Sequence, residues 1–288
     1  MAHTQSEHFT NPTPSADTRW FRQVSPTAWN ALLVAGLGWT FEAFDVGLFA
    51  LTLSAISDDF GVTKAETGIV AAVQVFGMII GGVASGFAAD KFGRKRALIA
   101  AITVYSIFTG FTALAPSLEF TAGARFLAGL GFGASWTAGA ALVAETWPAR
   151  HRGKGGGIMQ AGLPVGTLLD IGASFLVSQL HGGLEDGGWR YLYLIGALPI
   201  VLAAYTARYV SESPIWLEGR IVREKSSTFT QLFRRPSVKP LAIGFVFVFF
   251  IHSLLPSANG VLKRVCPCPS AGRTESPMGC PARCNRSS

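Results

Sequence analysis

From Trp29 onward the chain alternates long apolar runs with short polar connectors. Seven runs approach the roughly 20 apolar residues that a membrane-spanning helix needs. They cover residues 29–56, 68–89, 97–115, 120–144, 155–178, 190–209 and 240–260. One connector is long: 210–239 holds Pro214, Pro236 and many charges. The pattern predicts an all-α integral membrane protein. A cytoplasmic N-terminal tail (1–27) precedes a six-helix bundle over 28–209; the connector 210–239 then leads to a seventh helix over 240–262. Residues 1–27 are polar, with Pro12, Pro14 and Pro26, and lack the apolar core of a cleavable signal, so the first apolar helix serves for insertion.

Composition agrees. Only 14% of residues are charged, against about 25% in soluble domains, and the mean hydropathy is +0.37. The 33 glycines suit helices that pack closely in lipid through small residues. A net charge of +7 raises the question of nucleic acid, but the placement of the bases excludes it. Arg19 and Arg22, the group Lys91, Arg94, Lys95 and Arg96, and the group Arg150, Arg152 and Lys154 fall on one side of the predicted membrane. So do Arg208, Arg220 and the bases of 223–239. Between helices, the opposite side holds Lys64 and Arg190. By the positive-inside rule the basic side is cytoplasmic. The expectation is a multi-pass protein of the cytoplasmic (inner) membrane with its N-terminus inside. Trp189, Tyr191 and Tyr193 are expected as an aromatic belt at the outer interface.

Ionisable residues inside spanning helices are costly, about 2.5–3.5 kcal/mol each at mid-helix, and so mark function. The first helix carries Glu42 and Asp45, whose spacing of three puts both on one face. Two such acids resist being ionised together, which suits a proton carrier. The structural alternative is that they only hold a neighbouring helix in place. Arg125, near the outer start of the fourth helix, must meet a carboxylate or a cavity, or else snorkel to the headgroups. It can pair with Glu42 or Asp45, or bind an anionic substrate as a fork. Asp170 lies midway along the fifth helix, either lining the cavity or as an isolated substitution. Pro164, between Gly162 and Gly166, is expected to break or bend that helix. Gly129, Gly131 and Gly133 read as a close-packing face. They are no dinucleotide loop, because no strand precedes them.

Beyond Leu262 the composition changes abruptly. All four cysteines (Cys266, Cys268, Cys280 and Cys284) lie in this Pro-, Arg- and Ser-rich tail, 263–288. Their spacing permits a zinc-binding reading. The abrupt break favours a reading-frame change with no selected structure, so no metal or cofactor is assigned. No nucleophile–base pairing stands out, and no enzyme is expected.

Gly86-x-x-x-Asp90-Lys91-x-Gly93-Arg94-Lys95 resembles the signature loop between helices two and three of the major facilitator superfamily. The run Arg125 to Gly133 is similar to that family's fourth-helix motif. Glu145 with Pro148, Arg152 and Gly153 resembles its loop after helix four. Glu212-Ser213-Pro214-Ile215-Trp216-Leu217 resembles the motif after helix six, and Gly188-Trp189-Arg190 fits before that helix. The resemblance spans roughly 28–260. It implies two rocking six-helix halves, with Gly86, Asp90, Lys91, Gly93, Arg94, Lys95 and Glu145 in a cytoplasmic gating motif. Lys95 and Arg96 also read as topology markers alone. Glu42-x-x-Asp45 resembles the acidic pair of proton symporters for aromatic acids and related metabolites, including sialate-type carriers, where the first acid is usually Asp. Sugar porters usually carry Arg at the position of Ile215, which counts against a sugar. The resemblance implies a small organic acid or metabolite, protons and membrane lipid as partners. Glu42, Asp45, Arg125 and Asp170 are the coupling and substrate candidates. The family has about twelve spanning helices in two halves. Seven here imply an incomplete, inactive fragment. The alternatives are a non-transporting membrane sensor or adaptor that recruits a partner or zinc through the 210–239 loop and the Cys tail, and a relative of the sugar porters.

Overall fold

The computed structural model describes residues 20–180 and 184–222. The predicted seventh helix, the tail 263–288 and most of the connector 210–239 lie outside the described residues. Within them the chain is helical, with no strand. The helices are α1 (Pro26–Phe60), α2 (Lys64–Phe92), α3 (Arg94–Ala113), α4 (Leu118–Thr146), α5 (Arg152–Gln160), α6 (Gly162–Leu180), α7 (Trp189–Gly196), α8 (Ile200–Tyr209) and α9 (Pro214–Val222). With α5–α6 and α7–α8 taken as continuous spans, six segments among the described residues are long and apolar enough to cross a membrane.

Local chemistry sets the helix ends. Ser25 caps α1 by accepting from the Ala28 N–H at 3.2 Å, and Pro26 at the first helical position needs no N–H donor. Gly61 ends α1 in the left-handed conformation at φ 64°. The Val62 N–H then reaches Ser57 O at 2.9 Å, as in a Schellman closure. Thr63 and Glu66 form a reciprocal capping box at the start of α2, satisfying donors that the first turn leaves open. Gly93 turns α2 into α3 at φ 106°.

The fifth span breaks at Ala161, between α5 and α6. Pro164 has no N–H to bond the carbonyl four residues back and crowds that turn. The sixth span, expected as one helix over 190–209, is also interrupted. Leu198 N–H bonds Ile195 O at 3.0 Å, a tightened turn just before Pro199, and α8 restarts at Ile200. Pro214–Val222 form α9 inside the predicted connector, with Ser213 Oγ accepting from the Trp216 N–H at 3.2 Å.

Glycines govern the packing, and they do not share one face. A Cβ at Gly129 or Gly133 would overlap the Gln74 or Met78 carbonyl of α2. A Cβ at Gly77 or Gly81 would overlap the Phe126 or Leu130 carbonyl of α4. Backbone therefore lies on backbone along α2–α4, as small residues allow in lipid. Gly131 points the other way, where a Cβ would sit 2.6 Å from Tyr105 N of α3. Gly162 and Gly166 seat α6 on Gly36, Thr40 and Ala43 of α1, so they serve packing as well as the bend. The central core joins Val34, Leu98, Ile102, Tyr105, Phe132 and Leu142. Ile69, Phe76, Ile79 and Val83 of α2 and Leu168, Ile171 and Phe175 of α6 are exposed, as surfaces facing acyl chains should be.

The expected aromatic belt needs correction. Trp189 and Tyr193 are fully buried, and only Tyr191 of the three is exposed. A spacing of four puts Trp189 and Tyr193 on one face of α7. That face packs on Phe49, Ile56 and Val70.

Candidate functional site

Three ionisable side chains meet inside the bundle. Glu42 and Asp45 come from α1 and Arg125 from α4, at 2%, 1% and 0% exposure. Arg125 Nη2 lies 2.5 Å from Asp45 Oδ2. The same nitrogen donates to Thr109 Oγ1 of α3 at 3.4 Å. The guanidinium carbon stands 5.1 Å from the Tyr193 ring centre and 5.8 Å from that of Phe49, and cations favour such aromatic faces. Tyr193 is in turn fixed by a 3.1 Å hydrogen bond between its hydroxyl and Thr52 Oγ1. Glu42 accepts from Ser135 Oγ of α4 at 3.1 Å. Of the two pairings open to Arg125, the structure makes the one with Asp45.

The cluster keeps unused hydrogen-bonding capacity. Among the described residues Glu42 Oε1 and Arg125 Nε and Nη1 have no partner. Buried polar atoms are rarely left so without a reason. A single-contact pair between a planar guanidinium and a carboxylate leaves room for a second, bidentate partner on the arginine.

Asp170 does not join this group. It meets α1 at Gly47, two residues past Asp45 and so on nearly the opposite face of that helix, where its carboxylate occupies the notch the glycine leaves; a Cβ there would come 2.7 Å from Asp170 Cγ.

A second charged cluster closes the end of the bundle that carries Pro26. Arg94 Nη2 is 2.9 Å from Asp90 Oδ1, and Arg94 Nε is 3.0 Å from Glu145 Oε2. Arg94 Nη1 also donates to Ala89 O at 3.0 Å, which gives the exposed end of α2 a cation. Glu145 accepts from Ser213 Oγ. Glu212 Oε1 accepts from the Lys95 N–H at 3.0 Å, and Trp216 Nε1 donates to Asp90 O at 2.9 Å. Gly93 leaves space for the Glu212 carboxylate, which a Cβ would overlap. Lys95 Nζ donates to Ala207 O at 2.8 Å, so it ties α3 to α8 and is more than a topology marker. Lys91 lies over the ring of Phe92 at 5.2 Å. Gly86 faces open space, with nothing within 4 Å of a Cβ there.

Sequence reasoning did not assign Thr109, Ser135 and Tyr193 to the intramembrane cluster, nor Glu212, Ser213 and Trp216 to the Arg94 network at the Pro26 end. The first three are ordinary polar residues in apolar runs, with no signal beyond polarity. The last three had one: all lie in the Glu212–Leu217 run that resembles the family motif after helix six.

Buried acids and a buried Arg on facing spans, with a charged clasp at one end, define a polytopic membrane protein built around an intramembrane polar site. The chain belongs to the Major Facilitator Superfamily, whose family model matches residues 31–262. It is 31% identical to the sialic acid transporter NanX of Escherichia coli, over 85% of this chain and 58% of that protein. It is 32% identical to a probable 4-methylmuconolactone transporter of Cupriavidus pinatubonensis, over 81% of this chain and 54% of the relative. The chain thus spans a little over half the length of these relatives. Among solved structures, the proton:xylose symporter XylE bound to 6-bromo-6-deoxy-D-glucose superposes with a TM-score of 0.62. That match covers 67% of this chain and 46% of XylE at 24% identity, a likeness of fold alone.

Proposed function

We propose that these residues form the proton-coupling half of a secondary active transporter for a small organic acid. The protein would lie in the cytoplasmic membrane with the N-terminus inside, a reading that the basic residues at the Pro26 end support. The observation that carries the reading is the buried Arg125–Asp45 contact with Glu42 beside it. While Asp45 is ionised it neutralises Arg125. A proton taken up by Asp45 removes that compensation and leaves the guanidinium for a carboxylate of the substrate. Binding of the anion and of the proton are then linked, because each makes the other favourable in a water-poor site. Glu42, with one oxygen uncommitted, is placed to hand a proton to or from its neighbour one turn away. The names of the relatives, a sialic acid and a muconolactone transporter, support an organic-acid substrate.

The Arg94 cluster has the role of a clasp. It joins α2, α4 and the start of α9 at the cytoplasmic end, where rocking of two halves would open or close an entrance. A complete pathway needs the opposing half. Vesicles holding only this chain are expected to show no uptake of labelled organic acids. A chimera joining residues 1–222 to the second half of the E. coli relative is expected to take up carboxylates under an inward proton gradient. Proton-independent uptake of a neutral sugar by that chimera, with no carboxylate uptake, would overturn the reading.

A further inference from the structure

Asp170 is the one intramembrane carboxylate among the described residues that stands outside both charged clusters. It is 2% exposed and sits in the ninth position of α6, well inside the span Ala149–Gln179. Among the described residues the ion pairs are those of Arg94, Arg125 and Arg190, and none of them reaches Asp170. Its carboxylate is pressed into the Gly47 notch of α1. Among the described residues Asp170 Oδ1 has no hydrogen-bond partner, and neither has the buried Ser174 Oγ one turn further along α6. Two polar atoms on one helical face therefore point into the α1–α6 seam.

The elements packed on α6 are α1, α5, α7 and the turn Leu184–Gly188. The charged side chains described on α1, α5 and α7 near the seam have partners of their own. On α1, Asp45 is held by Arg125 and Glu42 by Ser135. On α5, Arg152 Nε bonds Trp147 O and Lys154 stands over Trp20. On α7, Arg190 bonds Asp59 and Tyr193 bonds Thr52. An ionised carboxylate with no counter-charge in such a place is far costlier than a neutral acid. A neutral acid carries no charge for the seam to compensate, and it keeps a proton that can be donated or released.

We propose that Asp170 is a second intramembrane proton-binding site, which holds its proton in the α1–α6 seam independently of the Glu42–Asp45–Arg125 cluster. The inference does not rest on the transport reading, because proton occupancy is measurable without substrate.

The test is infrared spectroscopy of the whole chain reconstituted in phosphatidylcholine bilayers, reading the carboxylic-acid C=O stretch apart from the ionised carboxylate bands. At neutral pH, Asp170→Asn is expected to remove the intensity of one carboxylic acid. The Glu42→Gln/Asp45→Asn double variant is expected to keep that component, and strong alkali to convert it to carboxylate. Gly47→Ala, which forces the carboxyl out of its notch while leaving the acid in place, should shift the same component. An Asp170→Asn spectrum identical to wild type at neutral pH would overturn the proposal, because Asp170 would then be ionised. Loss of the component in the Glu42→Gln/Asp45→Asn variant would overturn its independence.

Discussion

Removing the Asp45 carboxylate should destabilise the bundle more than removing the whole charge pair. In Asp45→Ala the Arg125 guanidinium, fully buried, keeps only a 3.4 Å contact to Thr109 and the two ring faces. Breaking a buried pair by deleting one partner costs about 3–5 kcal/mol. The aromatic faces touch the guanidinium before and after the substitution, so they return none of that, and the expected loss stays at about 3–5 kcal/mol. Arg125→Met alone strands Asp45 without a cation and should cost as much. In Asp45→Ala/Arg125→Met no unpaired charge is left, and replacing a buried pair by apolar groups is often neutral. The double variant should therefore be more stable than either single one. Titration of the micellar protein with a denaturing detergent provides the assay, because Trp147 and Trp189 are buried in the bundle and report its opening by fluorescence. Single effects that add to within about 0.5 kcal/mol would refute the claim that the two groups compensate each other.

The packing account makes its own forecasts in the same assay. Gly133→Ala and Gly131→Ala should each lose about 1–3 kcal/mol by overpacking, since their Cβ atoms would meet Met78 O and Tyr105. Gly123→Ala, with open space at the same helix, should lose nothing. Ser135→Ala removes the donor to Glu42 and should cost about 1–3 kcal/mol, the usual penalty for a stranded buried acceptor. Arg94→Lys cannot reproduce the fork to Asp90, Glu145 and Ala89, because an ammonium is a point donor. It should speed hydrogen exchange at Ser213–Trp216 about tenfold, a loss of about 1.4 kcal/mol, without altering exchange in α1.

Helix positions were legible because length, apolarity and caps are local properties. Ser25, Thr63 with Glu66, Gly61 and Gly93 end the spans where short-range rules put them. Pro164 announced its break in the same way. The break at Pro199 was equally open to that rule, but the surrounding run from Trp189 to Tyr209 is apolar enough to read as one piece. Neighbour relations were less legible. An apolar or aromatic residue in a spanning helix looks alike whether it meets lipid or protein, so Trp189 and Tyr193 read as interfacial although α7 turns them inward. The same limit applies to Asp170. Its place in a span is plain from sequence, whereas its separation from Asp45 depends on which face of α6 docks on Gly47. Arg125 faced two equivalent carboxylates one turn apart, and only the relative height of α1 and α4 selects Asp45. Lys95 appeared to be a topological charge because its acceptor, the Ala207 carbonyl, lies more than a hundred residues away.

The central claim is that Asp45, through Arg125, couples a proton to an organic anion. Its most direct test compares two rates in vesicles containing the chimeric carrier: carboxylate accumulation driven by a proton gradient, and carboxylate exchange at equal pH. With Asp45→Asn, the account predicts that gradient-driven accumulation disappears while exchange continues. Accumulation as strong as that of the unsubstituted chimera, with the same alkalinisation on addition of substrate, would contradict it.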